Sequence, residues 1–162
     1  MNLEELLNIP FDKQSILLLG RPASGKTFLS NVLSPMYPHH HVIHCDDYKD
    51  FAEPVAIQAL IEDAYENKPC IVEGVLGYGL LLQGLKEQSY RPDIIIICEI
   101  SAARQREIYL SERDPSKLQF QKRFYQKLQL ILHECYKLMS KLPSEEYPNV
   151  IIFQNEFDAI KK

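Results

Sequence analysis

An α/β fold, with a parallel sheet covered by helices on both faces, is what the order of apolar patterns predicts. Three observations carry it. Short apolar runs alternate with helical patterns along the chain. The first run, Ile16 to Leu19, is apolar on both faces, as a buried parallel strand requires. Gly20, Asp46, Glu73 and Glu99 all fall at the carboxyl ends of such runs, where open α/β sheets bind their ligands.

The elements follow in order. Leu3, Leu6 and Leu7 suit a short amphipathic helix that stops before Pro10. After the first strand, Phe28, Leu29, Val32 and Leu33 repeat at helical spacing, and that helix ends near Ser34-Pro35. Val42 to Cys45 reads as the second strand and delivers Asp46-Asp47-Tyr48 to its end. Pro54 to Glu66 is a helix, with proline near its start and Val55, Ala59, Leu60 and Ala64 on or near one face. Cys70 to Val72 is the third strand, ending in Glu73-Gly74. A loop holding Gly77 and Gly79 leads to a short helix, Leu80 to Glu87. Ile94 to Cys98 is the fourth strand. Ala102 to Glu112 is a charged helix that breaks around Arg113-Asp114-Pro115. A long helix then runs from about Lys117 to Leu142, and Val150 to Phe153 is the fifth strand. Along the long helix Phe124, Leu128, Ile131, Leu132, Cys135, Leu138, Met139 and Leu142 trace one stripe, read as core.

Between the first strand and its helix stands Gly20-Arg21-Pro22-Ala23-Ser24-Gly25-Lys26-Thr27. It fits the phosphate-loop pattern G-x-x-x-x-G-K-[ST] at every fixed position. Glycines let the backbone curl so that several N–H groups face one anion. Lys26 is expected near the β- and γ-phosphates of a nucleotide, and Thr27 offers a hydroxyl to Mg²⁺. The positive end of the following helix adds to the same site. Strand before and helix after are the context this motif needs.

Composition narrows the classes. A chain of 162 residues with 46% apolar and 25% charged content is expected to be one globular domain, not a disordered segment. A net charge of −4 argues against a general nucleic-acid binder. Glu4 and Glu5 stand where a secretory signal would be basic, and the longest aliphatic run, Ile94 to Ile97, is too short to span a bilayer; a cytoplasmic protein is expected. The four cysteines, Cys45, Cys70, Cys98 and Cys135, form no C-x-x-C pair and read as buried free thiols. His39-His40-His41 lies in a polar connection with no acidic partner at metal-ligand spacing, so no metal is assigned there.

The charged residues leave alternatives open. Asp46 and Asp47 read either as turn caps or as carboxylates that accept a proton from an acceptor hydroxyl or hold Mg²⁺ through water. Glu73 ends a buried strand and needs a cation or hydrogen-bond partners. Arg104, Arg106, Arg113 and Arg123 flank Asp114-Pro115. They form either a solvated face or a lid whose arginines reach the phosphates, with Arg104 and Arg113 first and Arg106 next. Tyr48, Tyr78 and Tyr90 are either packed or stacked on a substrate base.

Taken together, G-R-P-A-S-G-K-T, V-I-H-C-D-D-Y, I-V-E-G and an Arg-rich helix-break-helix resemble the small-molecule kinases of the phosphate-loop superfamily, uridine kinase and nicotinamide riboside kinase in particular. The resemblance implies a three-layer sandwich with a five-stranded parallel sheet in the order 2-3-1-4-5 and a short helical lid at about residues 104 to 123. It implies ATP and Mg²⁺ as donor and cofactor, and a small-molecule acceptor bearing a hydroxyl. Asp46 matches the family's base and metal-shell Asp, Asp47 and Tyr48 complete that element, Glu73 matches its Mg²⁺-shell Glu, and Arg104 and Arg113 match its lid arginines. It also implies adenine contacts around Gln154 to Phe157. A phosphate-loop switch or motor ATPase is the rival class. The chain has no N-K-x-D for guanine, and its third strand ends in a lone Glu.

Overall fold

A computed structural model describes residues 1–111 and 114–155. Ile16–Leu19 forms β1, and none of its four side chains meets solvent. It is the middle strand of a five-stranded, all-parallel sheet in the order β2-β3-β1-β4-β5, with β2 His41–His44, β3 Cys70–Glu73, β4 Ile94–Glu99 and β5 Asn149–Gln154. Successive side chains of a strand point to opposite faces, and the two cores divide accordingly. Leu17, Leu19, Val72, Ile95 and Ile97 face one core, and Ile16, Leu18, Ile71, Ile94 and Ile96 face the other.

Helices cover both. The second core is closed by α1, Leu3–Leu7, through Leu6, and by α2, Lys26–Met36, through Leu29 and Leu33. A capping box between Asn2 and Glu5 starts α1. The first core is closed by α3, Glu53–Glu66, by α4, Gly77–Glu87, and by α6, Leu118–Met139. Between β4 and α6 lies α5, Ala102–Ser111, which buries Gln105, Ile108 and Tyr109. The three-layer α/β arrangement and the strand order are those expected. No helix among the described residues is long and apolar enough to cross a membrane.

Several boundaries differ from expectation for packing reasons. Val55 is exposed; α3 instead buries Ala56, Ile57, Leu60, Ile61 and Ala64. Cys45 does not extend β2 but opens a 3-10 turn over Cys45–Tyr48. Pro35 lies inside the last turn of α2, which runs on to Met36. The expected glycine loop before α4 is helix. A Cβ on Gly77 would approach the Leu17 and Leu19 side chains to about 3 Å, and one on Gly79 would press on Ile57. These glycines serve close helix packing, not a turn. Of the long stripe, Leu128, Leu132, Cys135 and Met139 are buried.

Gly74, just after β3, adopts a φ of +133°, and a Cβ there would sit 2.5 Å from the Cys45 Cβ. Gly74→Ala combines backbone strain with overpacking and is expected to lower unfolding stability by roughly 2 kcal/mol or more. A urea midpoint equal to that of the parent would contradict this.

Candidate active site

Backbone geometry sets the site first. The chain leaves β1 and turns through Gly20, Ala23 and Gly25, with φ values of +154°, +65° and +95°. Ala23 holds a left-handed conformation that an L-residue adopts only at some cost. A Cβ on Gly20 would collide with the Ser24 hydroxyl and the Cys98 carbonyl oxygen, so the loop closes tightly over the end of β4. Gly25 is the N-cap of α2 and makes no side-chain cap. The first turn of a helix directs N–H groups and the positive end of the helix dipole at an anion placed there.

Lys26 is buried, and its Nζ donates to the carbonyl oxygens of Gly20 at 2.8 Å and Arg21 at 2.9 Å, with the Ser24 hydroxyl at 3.5 Å. Burial lowers its pKa from the ordinary 10.5 to about 8, partly offset by the negative carboxylates of Glu73 and Asp46. Burial likewise pushes the Cys45 and Cys98 thiols beside the site up to about 12, so both stay protonated near neutral pH and offer no nucleophile.

On the neighbouring strand Glu73 is 5% exposed. Its Oε2 accepts from the Thr27 hydroxyl at 3.1 Å, and its Oε1 accepts from His44 Nδ1 at 2.7 Å. Asp46 is exposed at the end of β2, within electrostatic reach of Lys26. Lys26, Thr27, Glu73 and Asp46 thus converge at the carboxyl ends of three adjacent strands. Among the described residues no three His, Cys, Asp or Glu side chains form a metal cluster. The hard oxygens of Thr27 and Glu73, with few protein ligands in all, fit Mg²⁺, which keeps most of its shell as water and phosphate oxygen.

Other candidates fall elsewhere. Asp47 is exposed. The Tyr48 hydroxyl donates to Asp63 on α3 at 2.7 Å, which pushes its pKa up to about 12 and directs the side chain toward α3. Tyr78 is buried beneath the loop, its hydroxyl toward the Gly20 amide, and burial raises its pKa. Tyr90 is buried in the first core. Arg104 pairs with Glu107 at 3.0 Å one turn along α5, and Arg106 is exposed. Arg113 lies outside the described residues, as do Glu156 and Phe157 of the expected adenine loop. The histidine run does not converge: His40 Nε2 bonds the Gln14 carbonyl at 2.6 Å, while His41 lies 3.4 Å from Asp63.

Besides Tyr125, which lies under Arg21, three residues join the site that sequence reasoning did not single out. Gln105 of α5 accepts from Arg21 Nη1 at 2.7 Å and donates to the Pro22 carbonyl at 3.0 Å. The Arg21 guanidinium also lies 4.0 Å over the Tyr125 ring on α6. Asn155, after β5, donates to the Ser24 carbonyl at 2.9 Å. The third is His44. The one sequence hint was a glutamine on the otherwise apolar side of α5, beside Ile108 and Tyr109.

A cleft of about 790 Å³ opens at the far end of the sheet, lined in part by Lys86, Arg91 and Lys141. Lys86 stands in the last turn of α4, where the helix dipole favours cations, and Lys141 follows the C-cap Ser140 of α6.

No family model matches the chain, and no curated protein matches it. Among solved structures, a thymidylate kinase from Candida albicans is 14% identical over 88% of this chain and 84% of that one, with a TM-score of 0.46. A thymidylate kinase from Ehrlichia chaffeensis is also 14% identical, over 87% and 89%, with a TM-score of 0.39. At this level of likeness the fold rests on the strand order and the loop described above.

Proposed function

We propose that the chain is an ATP- and Mg²⁺-dependent kinase that transfers a phosphoryl group to a hydroxyl of a small metabolite, a nucleoside or nucleoside-like compound. One observation carries the reading: a phosphate-loop lysine, a hydroxyl–carboxylate pair suited to Mg²⁺, and an exposed aspartate meet at the ends of adjacent strands. Residues 1 to 162 act as one domain in this reading, with about 104 to 123 as its lid.

Each residue then has a role. The backbone from Gly20 to Thr27 cradles the β- and γ-phosphates, and Lys26 leaves its carbonyl partners to stabilise charge on the transferring group. Thr27, Asp46 and Glu73 would hold Mg²⁺, directly or through water, and the ion would supply neutralisation of charge on the phosphate oxygens. Asp46 accepts the acceptor's proton as the acceptor oxygen bonds the γ-phosphorus and the bond to the bridging oxygen of ADP breaks. Arg104, Arg106 and Arg113 approach the phosphates when the lid closes. Asp47, Tyr48 and Tyr78 are assigned to the acceptor side, Tyr48 and Tyr78 as supports of its walls.

The charge on the acceptor side favours a hydroxyl compound over a phosphorylated one. From Cys45 through Gln58 the chain carries Asp46, Asp47, Asp50 and Glu53 against Lys49 alone. A bound acceptor phosphate needs arginine or lysine partners, and this segment supplies a single lysine among four acids.

A coupled ADP-release assay with MgATP and a panel of nucleosides, vitamin precursors and nucleoside monophosphates tests both statements. Turnover is expected with an unphosphorylated hydroxyl compound. Faster turnover with monophosphates would overturn the acceptor class and leave the kinase standing. ADP release independent of every acceptor would replace the kinase by an ATPase.

A further inference from the structure

We propose that His44 is a positioning residue that fixes the Glu73 carboxylate for the cation held beside Thr27. The inference rests on the kinase reading above and adds a residue to it. The parallel register places His44 directly opposite Glu73, so both side chains leave the sheet on the same face. His44 Nδ1 then donates to Glu73 Oε1 at 2.7 Å, while Oε2 receives the Thr27 hydroxyl at 3.1 Å. Both carboxylate oxygens are therefore tied to groups on fixed elements, one on β2 and one at the start of α2.

The two ties are not equivalent. Thr27 has one hydroxyl oxygen, which the loop chemistry also assigns to the cation. His44 has no such competing duty, since a nitrogen donor spending its proton on Glu73 faces the carboxylate and not the ion. It is the partner that keeps the Glu73 plane oriented whichever way the Thr27 hydroxyl turns. A buried carboxylate without that tie would be free to turn about its last torsion. Partners of this kind, one step outside the metal's own ligands, govern cation affinity in general.

The test is ADP binding measured by titration calorimetry at fixed pH, with Mg²⁺ and with EDTA, on the parent, His44→Ala and His44→Asn. In His44→Ala the gain in ADP affinity on adding Mg²⁺ is expected to fall about tenfold, while affinity in EDTA stays within about twofold. Asparagine places an amide N–H close to the Nδ1 position, so His44→Asn is expected to recover most of the gain. A full Mg²⁺ gain in His44→Ala overturns the proposal. So does an equal loss of affinity with and without Mg²⁺ accompanied by a lower melting temperature, which is what a merely structural contact would give. ADP binding by the parent with no Mg²⁺ gain overturns the positioning role and leaves the phosphate loop intact. No ADP binding by the parent overturns the kinase reading and this inference with it.

Discussion

Asp46→Asn is expected to lower kcat by a factor of about 10²–10⁴, the usual contribution of a positioned general base. Asparagine keeps the size and the hydrogen-bonding reach of the side chain but cannot take a proton from the acceptor. Asp46 is exposed, so the substitution leaves no buried group unpaired and stability should stay close to the parent's. In the proposed reading the loop, not Asp46, holds the phosphates, so the affinity for ADP should change little. The measurement is kcat beside the ADP dissociation constant. Unchanged turnover would remove Asp46 from the chemistry. A parallel loss of turnover and nucleotide affinity would leave Asp46 with the cation-holding part of its assignment and remove the proton transfer.

Lys26→Met should separate activity from stability. Loss of the ammonium is expected to reduce turnover by about 10²–10³, as removal of one preorganised charge donor does. Folding should not suffer. The Lys26 pKa of about 8 in place of 10.5 corresponds to roughly 3 kcal/mol against folding with the side chain charged. Methionine fills similar volume without that penalty, so at pH 7 the variant should be at least as stable as the parent. The sign of the pH dependence follows. Between about pH 8 and 10.5 the unfolded chain binds more protons at Lys26 than the folded one, so the parent gains stability as pH rises through that window, and the variant lacks this gain. Denaturant midpoints at pH 7 and pH 9.5 decide it. A variant less stable than the parent at pH 7 would show that the hydrogen bonds to Gly20 and Arg21 outweigh the burial of the charge.

The loop and its flanks were legible in the sequence because everything that makes them is local. An apolar run, glycines at set intervals and a helical repeat occupy one short stretch, and the structure reproduces β1 and α2 where those patterns lie. The strand order followed from the resemblance. What the sequence hid depends on partners far along the chain. Gly77 and Gly79 look like loop residues until Leu17, Leu19 and Ile57 are packed against them. Val55 and Ile57 are both apolar, and only the orientation of α3 on the sheet exposes one and buries the other. His44 becomes a partner of Glu73 only through strand register, and Gln105 one of Arg21 only once α5 lies over the loop.

The fastening of that loop also bears on the order in which the molecule is made. Its carbonyls at Pro22 and Ser24 are held by Gln105 and by Asn155, so the cup is braced by segments that follow it by more than 80 and more than 130 residues. During synthesis the motif emerges long before either brace. A nascent chain that has not yet released β5 carries the complete phosphate-loop sequence with its rim unsupported, and capture of a polyphosphate would then report that the last strand has docked.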